Sequence, residues 1–287
     1  MIGAKGRARP GGRGDRLVQM MIRQLRHLDI TIGRAVSAAA LIEAYRRVYT
    51  RFIAKGYILL EETHTRVRVF EALSKTATFV AKQSGSNDIV GVVSLLPDSH
   101  LGLPSEHAFG KEIGTLRASG RRICEVSNQV ATDAALEMMR VIFAQALTDQ
   151  ADDVIMAVSP KHVGVYELLG FGQFSAEVRS YSDEVVDPVM LMRMDVHARR
   201  SRAESIDPKN AGYADGVWRH FVLDNPFLTR IEVWNIEARK MFSDPVALHE
   251  LFVRRSNLLP RCTKAQQAII REDWGSKVFD AVMAMKG

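Results

Sequence analysis

One carboxylate stands in a run that otherwise reads as a buried strand. From Arg122 to Ala131 the order is Arg-Ile-Cys-Glu-Val-Ser-Asn-Gln-Val-Ala. Side chains alternate along a strand, so Ile123, Glu125, Ser127 and Gln129 are expected on one face, and Cys124, Val126, Asn128 and Val130 on the other. A carboxylate in such a strand is costly to bury unless it is paired or used. Glu125 is therefore the first candidate for chemistry, because a carboxylate with a raised pKa is a base able to take the proton of an attacking ammonium group. The competing reading is a structural acid held by a buried arginine. Ser127 either bonds an acceptor molecule or satisfies its own strand.

The elements around this run follow from periodicity. Asp29 to Ala35 reads as a first strand, and Ser37 caps a helix with Leu41, Tyr45, Val48 and Phe52 at helical spacing, ending near Lys55-Gly56. Thr76 to Gln83 and Ile89 to Leu96 form a hairpin across Ser84-Gly85-Ser86-Asn87-Asp88. After a Gly/Pro/Ser-rich loop and a polar helix ending at Ser119-Gly120 comes the Glu125 strand, then a helix from Asp133 to Leu147. Asp153 to Ser159 is continuously apolar after its first residue, the pattern of a strand buried on both faces. Pro160 opens a short helix closed by Gly170, and Val178 to Ser182 pairs with Val189 to Val196. This order predicts an α/β (α+β) fold with a mixed, mostly antiparallel sheet and helices on both faces. Met190, Met192 and Met194 alternate on the last strand, suited to an acyl tunnel or to ordinary core.

Composition bounds the class. The chain has 287 residues, 47% hydrophobic and 25% charged, enough apolar material for a core. No run approaches the roughly 20 apolar residues that span a bilayer, and no signal-peptide pattern stands at the start. Cys124 and Cys262 are far apart, against a disulfide framework or zinc site and for a reducing compartment, so a cytoplasmic location is expected. The net charge of +6 draws partly on Lys5, Arg7, Arg9, Arg13 and Arg16, and residues 1–28 are expected to be a largely disordered basic segment. No zinc-finger spacing or RNA-binding aromatic signature accompanies that charge, so no nucleic acid is expected as a partner. Residues 29–197 read as a catalytic domain and 198–287 as a linker and helical extension, with caps at Asp244-Pro245 and Thr263/Gln266 and all three tryptophans. The extension is expected to dock on the catalytic domain, with dimerisation or peripheral membrane contact as the alternatives.

Short motifs carry a resemblance across roughly residues 40 to 196. Pro97-Asp98-Ser99, Gly102-Leu103-Pro104, Leu116-Arg117, Gly120-Arg121-Arg122 and Glu125-Val126-Ser127 occur in order, followed by Val158-Ser159-Pro160-Lys161-His162, Tyr166-Glu167 and Leu169-Gly170-Phe171. The set resembles long-chain N-acyl amino acid synthases, a FeeM-like family with the GNAT acyltransferase fold related to acyl-homoserine-lactone synthases. The resemblance implies transfer of a long fatty acyl group to the amino group of an amino acid. Glu125 is then the base, and Tyr166 stands where many GNAT enzymes place a tyrosine that protonates the leaving thiolate. Ser127, Asn128, Gln129 and Val130 are the implied substrate-binding strand. Acyl-homoserine-lactone synthases continue Glu-x-Ser with arginine, where this chain has Asn128. Arg46 and Arg47 resemble the family's early arginine-containing helix, where a guanidinium would grip the acceptor carboxylate at two points.

The resemblance implies an acyl-phosphopantetheine thioester as the donor. Coenzyme A enzymes of this fold usually follow a glutamine or arginine with a glycine-containing loop that holds pyrophosphate. Here Gln129-Val130-Ala131-Thr132-Asp133 has no glycine and carries an acid. This favours acyl carrier protein over acyl-coenzyme A, with Arg121, Arg122, Arg140 and Lys161 as candidate contacts for an acidic carrier. No tightly bound cofactor or metal is expected. The alternatives are a GNAT enzyme using acyl-coenzyme A on another amine, and a non-catalytic GNAT-like binding module.

Overall fold

The described residues form eight strands, and the register of their pairing decides where a cleft opens. The computed structural model describes residues 29–86, 88–131, 134–182, 185–205 and 220–285. The basic N-terminal segment, Asp133 and Trp218 lie outside the described residues. The strands are β1 (Ile30–Arg34), β2 (Ala77–Gln83), β3 (Ile89–Pro97), β4 (Ile123–Ala131), β5 (Asp153–Val158), β6 (Gly172–Gln173), β7 (Arg179–Ser182) and β8 (Val185–Asp195). They form one sheet in the order β1-β2-β3-β4-β5-β8-β6, with β7 added on β8. Only the β4–β5 pairing is parallel, so the sheet is mixed and mostly antiparallel.

That parallel pairing is short. It runs from Ile123 opposite Asp153 to Glu125 opposite Ile155 and then stops. Beyond it β4 continues along β3 as far as Ala131, while β5 continues along β8 to the Val158–Met190 pair. The two strands part immediately after Glu125.

Helices cover both faces. On one side α3 (Ala135–Thr148) lays Leu136, Met139 and Phe143 over Phe79, Val93, Cys124 and Val126. On the other, α1 (Ala38–Ala54) buries Leu41, Tyr45 and Val48 against Val80, Val92 and Val130, with the Ser37 hydroxyl capping its first turn. Also on that side, α2 (Glu106–Ala118) packs Phe109 and Ile113 with Leu96, Ile123 and Ile155. A turn at Pro160–His162 leads into α4 (Val163–Leu168), and α5 (Val196–Glu204) follows β8. Met192 and Met194 are ordinary core beneath α3.

The C-terminal helices dock on the sheet and on α1. They are α6 (Ile231–Met241), α7 (Pro245–His249), α8 (Leu258–Arg261), α9 (Lys264–Trp274) and α10 (Ser276–Ala284). Asp244 caps α7, and Thr263 with Gln266 forms the capping box of α9, as their spacing predicts. Phe252, Leu259, Ile270, Trp274 and Val282 share one core with α1. The buried Trp274 indole needs an acceptor and donates to the Ala72 carbonyl at 2.7 Å. Asp273 accepts from the Ser74 amide at 2.7 Å and its hydroxyl at 3.0 Å. The extension thereby clamps the short turn Val69–Ala72, a segment that sequence periodicity leaves unread.

Candidate active site

The strict alternation expected along β4 breaks at Asn128. Val92 pairs with Val130 but Ser94 pairs with Ser127, so Asn128 and Gln129 together oppose Val93 in a β-bulge. Asn128 holds the left-handed backbone conformation with φ +52°, which asparagine tolerates better than most residues. The bulge reverses the expected faces beyond Ser127. Asn128 turns to the same side as Glu125 and Ser127, bonding Glu71 and Ser94, while Gln129 turns toward α3 and α4 and meets Met139 and Tyr166.

Where β4 and β5 part there is a cavity of about 180 Å³. One wall is Glu125 to Gln129, the other Met156 to Ser159, with Phe52, Arg66, Arg68, Tyr166 and Tyr181 closing it. The walls combine an apolar slot (Val126, Met156, Val158, Val189) with one polar corner. Of the alternating methionines on β8 none lines it; Met156 of β5 does.

The polar corner centres on Glu125, which is 1% exposed. Its carboxylate accepts from the Ser105 amide at 3.0 Å, the Ser105 hydroxyl at 2.7 Å and the Tyr181 hydroxyl at 3.2 Å. All three donors are neutral. Burial pushes the Glu125 pKa up to about 7, against the pull of Ser105 and of the Arg68 charge. Burial next to that carboxylate raises the Tyr181 phenol as well.

Arg68 is committed elsewhere. It meets the buried Glu71 carboxylate at 2.6 Å and donates to Ser127 Oγ at 2.8 Å. Burial works against its charge, but Glu71, with Tyr181 and Glu125 nearby, more than compensates and holds it protonated. Glu71 also accepts from Asn128 Nδ2 at 2.9 Å. The Asn128 side chain is only 3% exposed, and its Oδ1 has no hydrogen-bond partner among the described residues. A buried acceptor without a donor is costly. On the far wall the Tyr166 hydroxyl donates to Gln129 Oε1 at 2.7 Å, and burial raises its pKa to about 12.

The structure thus brings Glu125, Ser127, Asn128, Gln129 and Tyr166 around one cavity. Val130 is not among its lining; it is core between β3 and α1. Arg46 and Arg47 lie on the exposed face of α1, away from the lining. The arginines that line the cavity are Arg66 and Arg68, with the Arg66 guanidinium 5.3 Å from the centre of the Phe52 ring. Together with Glu71, Ser105 and Tyr181 they are absent from the sequence reading. Of the four basic residues offered for carrier contact, Arg140 is buried and bonded to Glu137 and the Asp224 carbonyl, which corrects that expectation. Arg121 is engaged by Asp153 and Asp195, and Arg122 and Lys161 lie at the surface.

Comparison with known proteins follows the same lines. A sequence-family model described as N-acyl amino acid synthase FeeM matches residues 43–195. The structure of FeeM, an N-acyl amino acid synthase from uncultured soil microbes, aligns with a TM-score of 0.54 at 24% identity, covering 60% of this chain and 93% of that one. The acyl-homoserine-lactone synthase LasI aligns with a TM-score of 0.44 at 16% identity, over 58% of this chain and 89% of its own. BjaI, a coenzyme-A-dependent acyl-homoserine-lactone synthase, gives 0.42 at 15%, over 72% and 98%. No curated protein matches. The fold is GNAT-like, with helices added after the last strand.

Proposed function

The chain belongs to the FeeM N-acyl amino acid synthase family, an acyltransferase using an acyl-thioester donor, and from that premise we propose that it joins a long fatty acyl group from acyl carrier protein to the amino group of an amino acid. The observation that carries this reading is the polar corner of the cavity. A carboxylate with a pKa of about 7 lines the same cavity as Asn128, whose buried amide oxygen has no donor among the described residues. An ammonium group satisfies both, giving one N–H to Asn128 Oδ1 and one proton to Glu125.

In this reading the thioester lies in the slot between β4 and β5, its acyl chain along Val126, Met156 and Val158. Glu125 takes a proton from the ammonium group, the freed nitrogen attacks the thioester carbonyl carbon, and a C–N bond replaces the C–S bond. The bulge leaves one residue of β4 outside the ladder, and its amide is suited to the developing oxyanion. Tyr166, kept protonated by burial, gives its proton to the departing thiolate, and the second proton that the nitrogen sheds as the amide forms restores the phenol. Arg66, buried in the cavity wall, is placed to receive the acceptor carboxylate. We place the reaction in the cytoplasm, in keeping with the free thiols Cys124 and Cys262.

Mass spectrometry of lipid extracts from a bacterial host expressing the protein tests the reaction. Fatty-acyl amino acids that appear with the intact chain and not with Glu125→Gln are expected, and they name the acceptor. Their absence beside soluble, folded protein overturns the amino acid acceptor. Purified protein given acyl carrier protein or coenzyme A thioesters then decides the donor, with turnover expected from the carrier-bound chain.

A further inference from the structure

A second cavity, larger than the first, lies at the other end of β4. Its volume is about 710 Å³, and its walls are the start of β4, the end of α3, the start of the α1 connection and the exposed side of α6. Arg34, Lys75 and Arg239 line it together with Gln145, Asp149 and Asn235. None of these residues touches the acyl cavity, and the family match gives them no role.

The charges here are out of balance. Arg34 is buried, yet its described hydrogen bonds go to neutral oxygens only, Asn235 Oδ1 and the Thr76 carbonyl. Arg239 and Lys75 are exposed at the rim and form no ion pair among the described residues. Two acids line the cavity: Asp98 is bonded to Arg117, and Asp149 accepts from Gln145 Nε2 at 2.9 Å. Burial pulls Arg34 down to about 10, with the Arg239 charge adding to that pull and Asp149 opposing it. Burial also raises Asp149, so the counter-charge is itself weakened. A buried guanidinium beside a second one is unfavourable unless an anion neutralises them.

A second observation points to a ligand. Gln145 is 1% exposed, and its Oε1 has no hydrogen-bond partner among the described residues. The Nε2–Asp149 bond fixes which way the amide faces, so the cavity presents a hydrogen-bond acceptor alongside three cations. The group that suits this set carries negative oxygens and also an O–H donor. Monohydrogen phosphate, free or as a phosphomonoester in its singly protonated form, has both.

We propose that this cavity is a binding site for a phosphate group, held by Arg34, Arg239 and Lys75 with its P–O–H directed to Gln145 Oε1. The site joins α6 to the sheet. Cys124, the neighbour of Glu125, lines it, so occupancy stiffens the root of the strand that carries the base.

The test is thermal unfolding of the full chain titrated with inorganic phosphate, against sodium chloride at matched ionic strength. Arg239→Ala and Lys75→Ala, singly and together, are the variants, because both side chains are exposed and their removal leaves the core intact. Phosphate at a hundredfold its Kd is expected to raise the midpoint by roughly 5–10 °C, climbing with the logarithm of its concentration. The double variant should lose that response. A phosphate effect no larger than that of chloride, or an undiminished effect in the double variant, overturns the proposal. A parallel titration with glycerol 3-phosphate separates the two sources. A response at lower concentration than inorganic phosphate assigns an organic phosphomonoester, and the reverse assigns the free ion. None of these readings depends on acyl transfer.

Discussion

Two fully buried carboxylates sit one strand apart and are treated in opposite ways. Asp153 lies opposite Ile123 at the start of β5, and Glu125 lies two residues further along β4. Asp153 is clasped by two guanidinium groups, with Arg121 donating through Nε and through Nη2 at 2.9 Å, and Arg193 donating at 2.8 Å. Glu125 is given hydroxyls and one backbone amide, and the nearest cation is tied to Glu71. Burial is equal; the partners differ. Two guanidinium groups at contact make Asp153 a structural link, whereas the neutral donors around Glu125 leave it poised to exchange a proton.

The sharpest way to break this contrast is Glu125→Gln. The amide fits the same donors, because the Ser105 and Tyr181 hydroxyls can turn to accept while its oxygen keeps the Ser105 amide. Turnover should fall roughly 10²–10⁴-fold with the fold intact by circular dichroism. A smaller loss would return Glu125 to a structural role. Asp153→Asn reverses the pattern. It leaves Arg121 and Arg193 facing a neutral group, and urea unfolding should show a loss of roughly 2–4 kcal/mol, moderated because both arginines are partly exposed. Turnover per folded molecule should survive.

The pH dependence sharpens the contrast further. Glu125 has a folded pKa of about 7, above its ordinary 4.5, so the folded state holds its proton more tightly than the unfolded chain. Its contribution to stability is full below about pH 4.5 and is lost as pH rises through 7. Relative to Glu125→Gln, the intact protein should therefore lose about 2–3 kcal/mol between pH 5 and 8 in unfolding measurements. Over the same range its acyl transfer should rise, because the base form is the one that works. A flat difference would show Glu125 to be ionised throughout. The smallest expected effect is that of Tyr166→Phe, about tenfold on kcat, because a thiolate leaves readily without help. That loss should shrink further with a thioester of more acidic thiol.

The longer strands and α1 and α3 were legible from period, since each has a face that water must not reach. The two-residue, exposed β6 was not, and the break at Gly275 splits into α9 and α10 what period reads as one helix from Thr263 to about Met285. Glu125 was legible for a related reason: a lone carboxylate in an apolar strand demands an explanation. The other half of the polar corner was not. Arg66, Arg68 and Glu71 sit in a stretch with neither helical nor strand period, held in place by Trp274 and Asp273 some 200 positions away. Tyr181 and Ser105 reach Glu125 through tertiary packing that no local pattern encodes. Alternation also failed at Asn128, where the one available cue was an asparagine in a strand, a residue suited to a left-handed backbone. The arginines expected on α1 were read from a helix whose polar face turned out to meet solvent.

The bulge at Asn128 also sets the terms on which the acceptor could ever be changed. Any side chain introduced there must live on a left-handed backbone, which favours glycine, asparagine and aspartate and penalises branched or bulky types. In the proposed reaction, the position that receives the attacking nitrogen thus has a vocabulary of about three words. Variety in what the protein acylates must be written instead on the end of α1 and the loop after it, where Phe52, Tyr57 and Arg66 face the same cavity from ordinary backbone.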